Sequence, residues 1–335
     1  MTNNSKILVT GGAGYIGTQT NIALTNEGYE TVVFDSLRYG SQQVFIPEGS
    51  ELFVGNLLNI NELRTVFSQH QFSAVVHFAA LLEVGESMKN PEIFYQTNVV
   101  GTLNLLQVMR EFDVKNIIFS STAAVYGIPE VVPISEDSPK NPINTYGYTK
   151  LMMETMMDDY HRAYNLNSIR LRYFNACGAD PSLRTGEFHE PETHLIPLIL
   201  QTALQLRHSI TVFGTDYETA DGTCIRDYIH TLDLASAHVK AVQKLISSTQ
   251  PICEAINLGT QNGLSVKEIL DEAKRVTNRP ITVEYGARRS GDPAVLIADV
   301  KKAKQFLNWE ATHSSAAEIL ETAWNWHVQQ VEKNK

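Results

Sequence analysis

Tyr146 and Lys150 stand four residues apart in Tyr146-Gly147-Tyr148-Thr149-Lys150. On a helix this spacing puts both side chains on one face, about one turn apart. An ammonium beside a phenol stabilises the phenolate and pulls its pKa down from about 10 toward working pH. A tyrosine tuned in this way can act as a general base. Upstream, Phe119-Ser120-Ser121-Thr122 places hydroxyls at the end of an apolar run. In doubly wound sheets ligands sit beyond the carboxyl ends of strands, so this loop should border one. A second constellation opens the chain. Lys6-Ile7-Leu8-Val9-Thr10 leads into Gly11-Gly12-Ala13-Gly14-Tyr15-Ile16-Gly17, with glycines spaced GxxGxxG. Gly11 allows a tight strand-to-helix turn. A bare Gly14 lets backbone N–H groups approach a pyrophosphate, and Gly17 lets the helix pack closely on the strand. The helix N-terminus adds partial positive charge. Asp35 ends the next strand, 18 residues after Gly17. Its carboxylate can bind both adenosine ribose hydroxyls and repels a 2′-phosphate, which favours NAD over NADP. Each pattern alone also fits a surface helix or an ordinary turn; their co-occurrence in one chain carries the reading.

Such groups need a rigid scaffold. Five short apolar runs precede the Tyr-Lys pair: Ile7–Val9, Thr31–Phe34, Leu52–Val54, Ala74–Phe78 and Ile117–Phe119. Runs without polar alternation suit parallel strands buried on both faces. Helix-length segments lie between them, including Tyr15–Glu27 and Pro91–Phe112. This alternation predicts an α/β fold, a Rossmann-like doubly wound parallel sheet. A Met- and Leu-rich helix is expected from Asn144 to Tyr164, then a strand over Ile169–Tyr173. Beyond Cys177 the pattern changes. Loops rich in Gly, Pro, Asp and Glu occupy Gly178–Thr193 and Gly214–Arg226, with helices expected over His194–Leu206, Val266–Thr277 and Ser314–Val328. We expect an NAD-binding Rossmann domain over 1–176 and a smaller mixed α/β substrate domain over 177–335. Some later segments, such as Ile256–Leu258, return to the main sheet in this reading.

The bulk properties narrow the function classes. The 335 residues suffice for about two domains at ~150 each. Apolar residues make up 43% and charged residues 19%, which suits a soluble globule. With 27 Lys and Arg against 37 Asp and Glu, the net charge of −10 argues against a nucleic-acid partner. Cys177, Cys224 and Cys253 show no paired spacing, which reads as a reduced, cytoplasmic protein. No apolar run approaches the ~20 residues of a membrane helix. The N-terminus lacks a signal-peptide core. His194 and His230 have no partners at evident ligand spacing, so no metal site is expected. His77, after the fourth strand, reads as structural.

Together these motifs resemble the extended short-chain dehydrogenase/reductases, and within them the UDP-galactose 4-epimerases. The likeness spans nearly the whole chain. It is carried by Gly11–Gly17, His77–Ala80, Val84–Ser87, Ser120–Gly127 and Tyr146–Lys150. Leu171–Asn175, Asp221–Thr223, Arg226–His230 and Arg288–Asp292 extend it. The resemblance implies reversible 4-epimerisation of UDP-galactose and UDP-glucose through a transient 4-keto intermediate, with tightly bound NAD. Tyr146 would remove the proton of the sugar 4-hydroxyl, Lys150 would tune Tyr146 and bind the nicotinamide ribose, and Thr122 would hydrogen-bond the 4-oxygen. Around NAD the resemblance places Gly11, Gly14, Tyr15, Ile16, Gly17, Asp35, Ser36, Asn56 and Leu57. Phe78, Ala79, Ala80, Asn98, Ser120, Tyr146, Lys150, Tyr173 and Phe174 join them. Around the UDP-sugar it places Thr122, Tyr146, Asn175, His194, Leu195, Thr211, Phe213, Arg226, Arg289, Asp292 and Leu296.

Physical chemistry supports parts of this assignment. A guanidinium matches a phosphate oxygen pair, which suits Arg226 and Arg289. Phe213 offers apolar area to a uracil or ribose; its bland alternative is a core residue. Related 4,6-dehydratases carry an acidic pair just after the Thr122 position, whereas this chain has Ala123-Ala124. Leu82 stands where many epimerases have a lysine touching the cofactor, which would weaken retention. Leu296, at a position that gates an N-acetyl group, leaves N-acetyl specificity open; a 4-epimerase of another UDP-sugar, N-acetylhexosamine, pentose or uronate, is the alternative, which pocket size and charge decide. The resemblance also implies a homodimer through Pro91–Phe112 and Asn144–Tyr164. Two further classes compete: a non-catalytic NAD sensor, opposed by Thr122, Tyr146 and Lys150 together, and a dehydrogenase with exchanging NAD.

Overall fold

In the computed structural model, which describes residues 5–38, 44–189, 191–289 and 291–333, strands and helices alternate from the start. β1 (Lys6–Thr10), α1 (Tyr15–Asn26), β2 (Glu30–Asp35), β3 (Ser50–Val54), α2 (Ile60–Gln69) and β4 (Phe72–His77) come first. Then follow α3 (Val84–Lys89), α4 (Pro91–Phe94), α5 (Gly101–Glu111), β5 (Asn116–Thr122), α6 (Thr145–Tyr164) and β6 (Asn167–Tyr173). The next elements are β7 (Asn175–Cys177), α7 (Leu195–Ala203), β8 (Ile210–Phe213), β9 (Ile225–Arg226), β10 (Tyr228–His230) and α8 (Thr231–Ser247). Last come β11 (Cys253–Leu258), β12 (Leu264–Ser265), α9 (Val266–Thr277), β13 (Val283–Gly286), β14 (Val295–Leu296), α10 (Lys301–Leu307) and α11 (Ala316–Lys333).

Seven of these strands form one parallel sheet in the order β11-β6-β5-β4-β1-β2-β3. Side-chain alternation along β1 explains its unbroken apolar run. Ile7 and Val9 enter a core that also holds Leu234 and Val242 of α8, while Leu8 enters the opposite core with Val66 of α2 and Leu105 of α5. Both faces are covered, so both parities must be apolar. β3 departs from the expected double burial: Leu52 and Val54 are exposed. It is one of the two edge strands of the sheet, the other being β11. β11 pairs along its length with β6, so a segment late in the sequence completes the sheet.

The expected Pro91–Phe112 helix is interrupted. A π-helical turn over Tyr95–Val100 separates α4 from α5. Asn98 sits in this turn, fully buried. Single π turns mark places where a side chain must be re-aimed, often near functional sites. α6 starts where Asn144 accepts the N–H of Gly147 at 2.8 Å and stops at Asn165 in the left-handed conformation. A third core joins α7, α9 and α11, with Ile199, Ile269 and Leu320 at its centre. Among the described residues no helix is long and apolar enough to cross a membrane.

Candidate active site

A cavity of about 730 Å³ lies where the sheet order reverses, beyond the carboxyl ends of β1 and β4. The glycine turn forms one wall. Gly11 has φ +71°, and a Cβ there would stand 2.5 Å from the Ala79 nitrogen. A Cβ on Gly17 would stand 2.1 Å from the Gly11 carbonyl oxygen, so α1 is locked against the turn. Gly14 differs: its nearest neighbour would be 3.4 Å away, so its bareness opens space toward the cavity. No side chain caps α1, which leaves its first N–H groups for an anion. Asp35 accepts the Ala13 N–H at 3.1 Å and the Leu37 N–H at 2.8 Å. Burial raises its pKa while these N–H groups oppose that. A carboxylate held at the strand end, a bare glycine and an uncapped helix start fit the adenosine and pyrophosphate of a dinucleotide.

The other predicted cofactor residues gather on the same cavity. Tyr15, Ile16 and Ser36 line it, as do Asn56, Leu57, Phe78, Ala79 and Ala80. Ser120, Tyr173 and Phe174 line it from the β5 and β6 side. Asn98 does not. Its carboxamide accepts the Leu81 N–H at 2.8 Å and donates to the Leu81 carbonyl and the Thr149 hydroxyl. It therefore positions the segment after β4 and the helix carrying Tyr146. His77 is likewise internal, bonded to the Thr10 and Thr102 hydroxyls, with burial pushing its pKa to about 3.

Thr122, Tyr146 and Lys150 meet on the cavity wall. The β5–β6 register ends on Thr122 opposite Tyr173, which places the hydroxyl at the sheet rim. Tyr146 is the second residue of α6, and its backbone N–H donates to the Ser87 hydroxyl. The expected fall in the Tyr146 pKa is not what the free chain shows. Burial pushes it up to about 12, and the hydrogen bond with Thr122 opposes this only in part. The Lys150 ammonium donates to the Ser120 carbonyl at 2.7 Å and stands 5.9 Å from the Tyr146 ring centre. Burial lowers its own pKa to about 7, against the pull of Glu154. Desolvation is the largest influence on both groups.

On the substrate side, Asn175, His194, Leu195, Arg226, Arg289, Asp292 and Leu296 all reach the cavity. Arg226 is buried and ion-paired with Asp292. The Arg289 guanidinium lies 4.1 Å over the Phe213 ring. Phe213 and Thr211 do not line the cavity themselves. Phe213 is partly exposed and not a core residue, and its ring holds the Arg289 guanidinium through a cation–π contact. Ser290, in the motif around Arg289, lies outside the described residues. Leu82 lines the cavity, and Asn56 accepts the Leu58 N–H at 2.9 Å.

The sequence reading missed part of this cavity. Glu187, His189 and Trp326 also line it. The view that His194 lacks ligand-spaced partners is corrected: Glu187, His189, Glu192 and His194 converge. The signal was present as E-x-H-x-x-E-x-H within the acidic loop, but neither carboxylate was read against the histidines. His189 and His194 are raised to about 9 and about 10 by Glu187 and Glu192, against the effect of burial.

Residues 7–259 match the NAD dependent epimerase/dehydratase family. The UDP-glucose 4-epimerase of Rhizobium meliloti is 48% identical over 324 residues, covering 97% of each chain. The crystal structure of UDP-glucose 4-epimerase from Brucella ovis in complex with NAD is 44% identical, covers 96% of this chain and 98% of that one, and superposes with a TM-score of 0.92. That of UDP-glucose 4-epimerase from Bifidobacterium longum in complex with NAD+ and UDP is 36% identical, covers 98% and 99%, and gives a TM-score of 0.90. On the glycine turn, the seven-stranded sheet and this likeness, the chain belongs to the NAD dependent epimerase/dehydratase family.

Proposed function

We propose that this chain interconverts UDP-galactose and UDP-glucose by inverting the sugar C4. The observation that carries the reading is one cavity with two chemically distinct walls. The glycine turn and Asp35 form one, and Thr122, Tyr146 and Lys150 form the other. NAD, held by Gly11–Gly17 and Asp35, supplies when bound a reversible hydride acceptor. Tyr146 takes the proton of the 4-hydroxyl and later returns it, while Thr122 orients the 4-oxygen. Protonated Lys150 supplies positive charge that favours the Tyr146 phenolate. C4 becomes a planar ketone, and return of hydrogen to its other face inverts the centre. Arg226 and Arg289 engage the diphosphate. Ala123-Ala124 offers no acid–base pair for loss of water, which separates this site from a dehydratase. The relatives that bind NAD and UDP support both halves of the reading.

Proton NMR of the purified chain with UDP-galactose, first without and then with added NAD, tests this. Growth of UDP-glucose anomeric signals is expected. Silence in both conditions overturns the substrate assignment, and steady NADH release points to a dehydrogenase. Tyr146→Phe should lower kcat about 10²- to 10⁴-fold while UDP affinity holds. Unchanged turnover removes Tyr146 from the mechanism.

We also infer a homodimer and a cytoplasmic location. Tyr95, Val100 and Leu103 before and within α5, with Tyr148 and Met152 on α6, expose apolar surface on the helices expected to pair. Met153 and Met157 face inward and belong to the core. The cytoplasmic assignment is supported by three unpaired cysteines.

A further inference from the structure

The segment leading into α7 carries a side-chain cluster of which only His194 has been placed near the substrate. Glu187, His189, Glu192 and His194 each offer one ligating atom, and these four atoms lie within 4.8 Å of one another. His194 Nδ1 stands 2.8 Å from Glu187 Oε1 and 3.3 Å from Glu192 Oε1. His189 Nδ1 stands 3.5 Å from Glu187 Oε1 and 3.7 Å from Glu192 Oε2. A tetrahedral zinc site with bonds of about 2.0–2.2 Å has ligand-to-ligand edges of roughly 3.3–3.6 Å. The measured separations bracket that length.

Three observations distinguish the cluster from surface ion pairs. The side chains of Glu187 and Glu192 are 7% and 5% exposed, so two carboxylates are held out of water together. Both imidazole Nδ1 atoms are buried, and both face the Glu187 and Glu192 carboxylates, at 2.8–3.7 Å. The frame around them is also held in place. Glu192 Oε1 accepts the N–H groups of Thr193 and His194, each at 2.8 Å. The Trp326 indole donates to the Glu187 backbone carbonyl at 3.2 Å. Contacts of this kind orient ligands before an ion arrives.

We propose that Glu187, His189, Glu192 and His194 form a binding site for one divalent cation of the zinc class. Two carboxylates balance the charge of the ion. Two imidazoles favour zinc over magnesium or calcium, which take oxygen ligands. Four protein ligands complete a tetrahedron, so the site is structural. Glu187, His189 and His194 line the main cavity beside Tyr15 and Trp326, and His194 is the residue from which α7 begins. The ion cross-links Glu187, His189 and Glu192 to that helix start and stiffens this part of the cavity wall. This inference does not depend on the sugar chemistry proposed above.

The test uses the full chain, stripped with a chelator and titrated with zinc chloride in a calorimeter without substrate. One ion per chain is expected. Cobalt(II) loaded in its place should give the intense visible bands of a tetrahedral N/O site. His189→Ala and Glu192→Gln should each weaken zinc binding at least about tenfold, with circular dichroism confirming that both variants are folded. Glu192→Gln keeps an oxygen acceptor for the Thr193 and His194 N–H groups, so it leaves the loop frame in place. Absence of saturable zinc uptake overturns the proposal. So does a weakly coloured six-coordinate cobalt spectrum, or unchanged affinity in both variants.

Discussion

Lys150 is buried, and its ammonium donates to the Ser120 carbonyl at 2.7 Å. Burial lowers its pKa from 10.5 to about 7. The folded state therefore holds this proton less tightly than the unfolded chain does. The destabilisation is fully present below about pH 7 and fades as pH rises toward the unfolded value. His189 and His194 act in the opposite sense. In the chain without a bound ion their pKa values are raised to about 9 and about 10, so there their stabilisation is complete below about pH 6.5 and is lost as pH rises through the folded values. The wild-type stability curve mixes both effects, and a difference separates them. The Tm of Lys150→Met minus that of wild type should fall as pH rises from about 6.5 to about 9. A flat difference would mean that Lys150 keeps an ordinary pKa in the folded chain. Tyr146, raised to about 12, stays protonated throughout this window. Its conversion to a base thus depends on the charge of its surroundings in the filled site.

At the scale of elements, the β1–α1 turn separates two glycine roles that look alike in the motif. A Cβ at Gly17 would collide with the Gly11 backbone at 2.1 Å, whereas one at Gly14 would stand 3.4 Å from the same oxygen. Gly17→Ala should lower unfolding stability by about 3 kcal/mol in urea titrations, at the upper end of overpacking penalties. Gly14→Ala should leave stability near wild type while weakening NAD binding in a fluorescence titration. Equal effects of the two changes on stability would refute the distinction. The π turn over Tyr95–Val100 has a comparable role for α6. Asn98 ties it to Thr149, one residue before Lys150.

Across the whole molecule, an ion pair joins parts of the fold far apart in sequence. Arg172 of β6 meets Glu154 of α6 with both side chains almost fully buried, and Arg172 also donates to the Tyr126 hydroxyl. Tyr126 in turn donates to Asn257 of β11. Removing one partner leaves a buried charge uncompensated, so Glu154→Gln should destabilise by about 3–5 kcal/mol. A thermal shift indistinguishable from wild type would show that water reaches Arg172. The exposed apolar side chains of α5 and α6 set the oligomeric expectation. Sedimentation should give a dimer for wild type at micromolar concentration and a monomer for Leu103→Glu; a wild-type monomer would contradict the pairing.

Local patterns in the sequence determined much of this. The strand runs, the glycine turn with Asp35 and the i, i+4 relation of Tyr146 and Lys150 follow from backbone geometry and side-chain period, which act over a few residues. They sufficed to name a parallel doubly wound sheet and to single out Gly11–Gly17, Asp35, Tyr146 and Lys150; most of the other cavity residues were placed by the family resemblance. Other features arise from contacts between distant segments. Leu52 and Val54 are exposed although they belong to an apolar run, because which faces of β3 are covered depends on the packing of segments distant in sequence. Asn98 turns inward because a π turn and two neighbouring segments meet there. Phe213 stacks on Arg289 and is not among the residues lining the cavity. The protonation of Tyr146 and Lys150 was decided by tertiary structure alone; the two glutamates and two histidines lie close in sequence as E-x-H-x-x-E-x-H, but their convergence on one point was a matter of the fold. Desolvation depends on everything packed around a group, and a loop of glycine, proline and acidic residues has no period that says where its side chains will point.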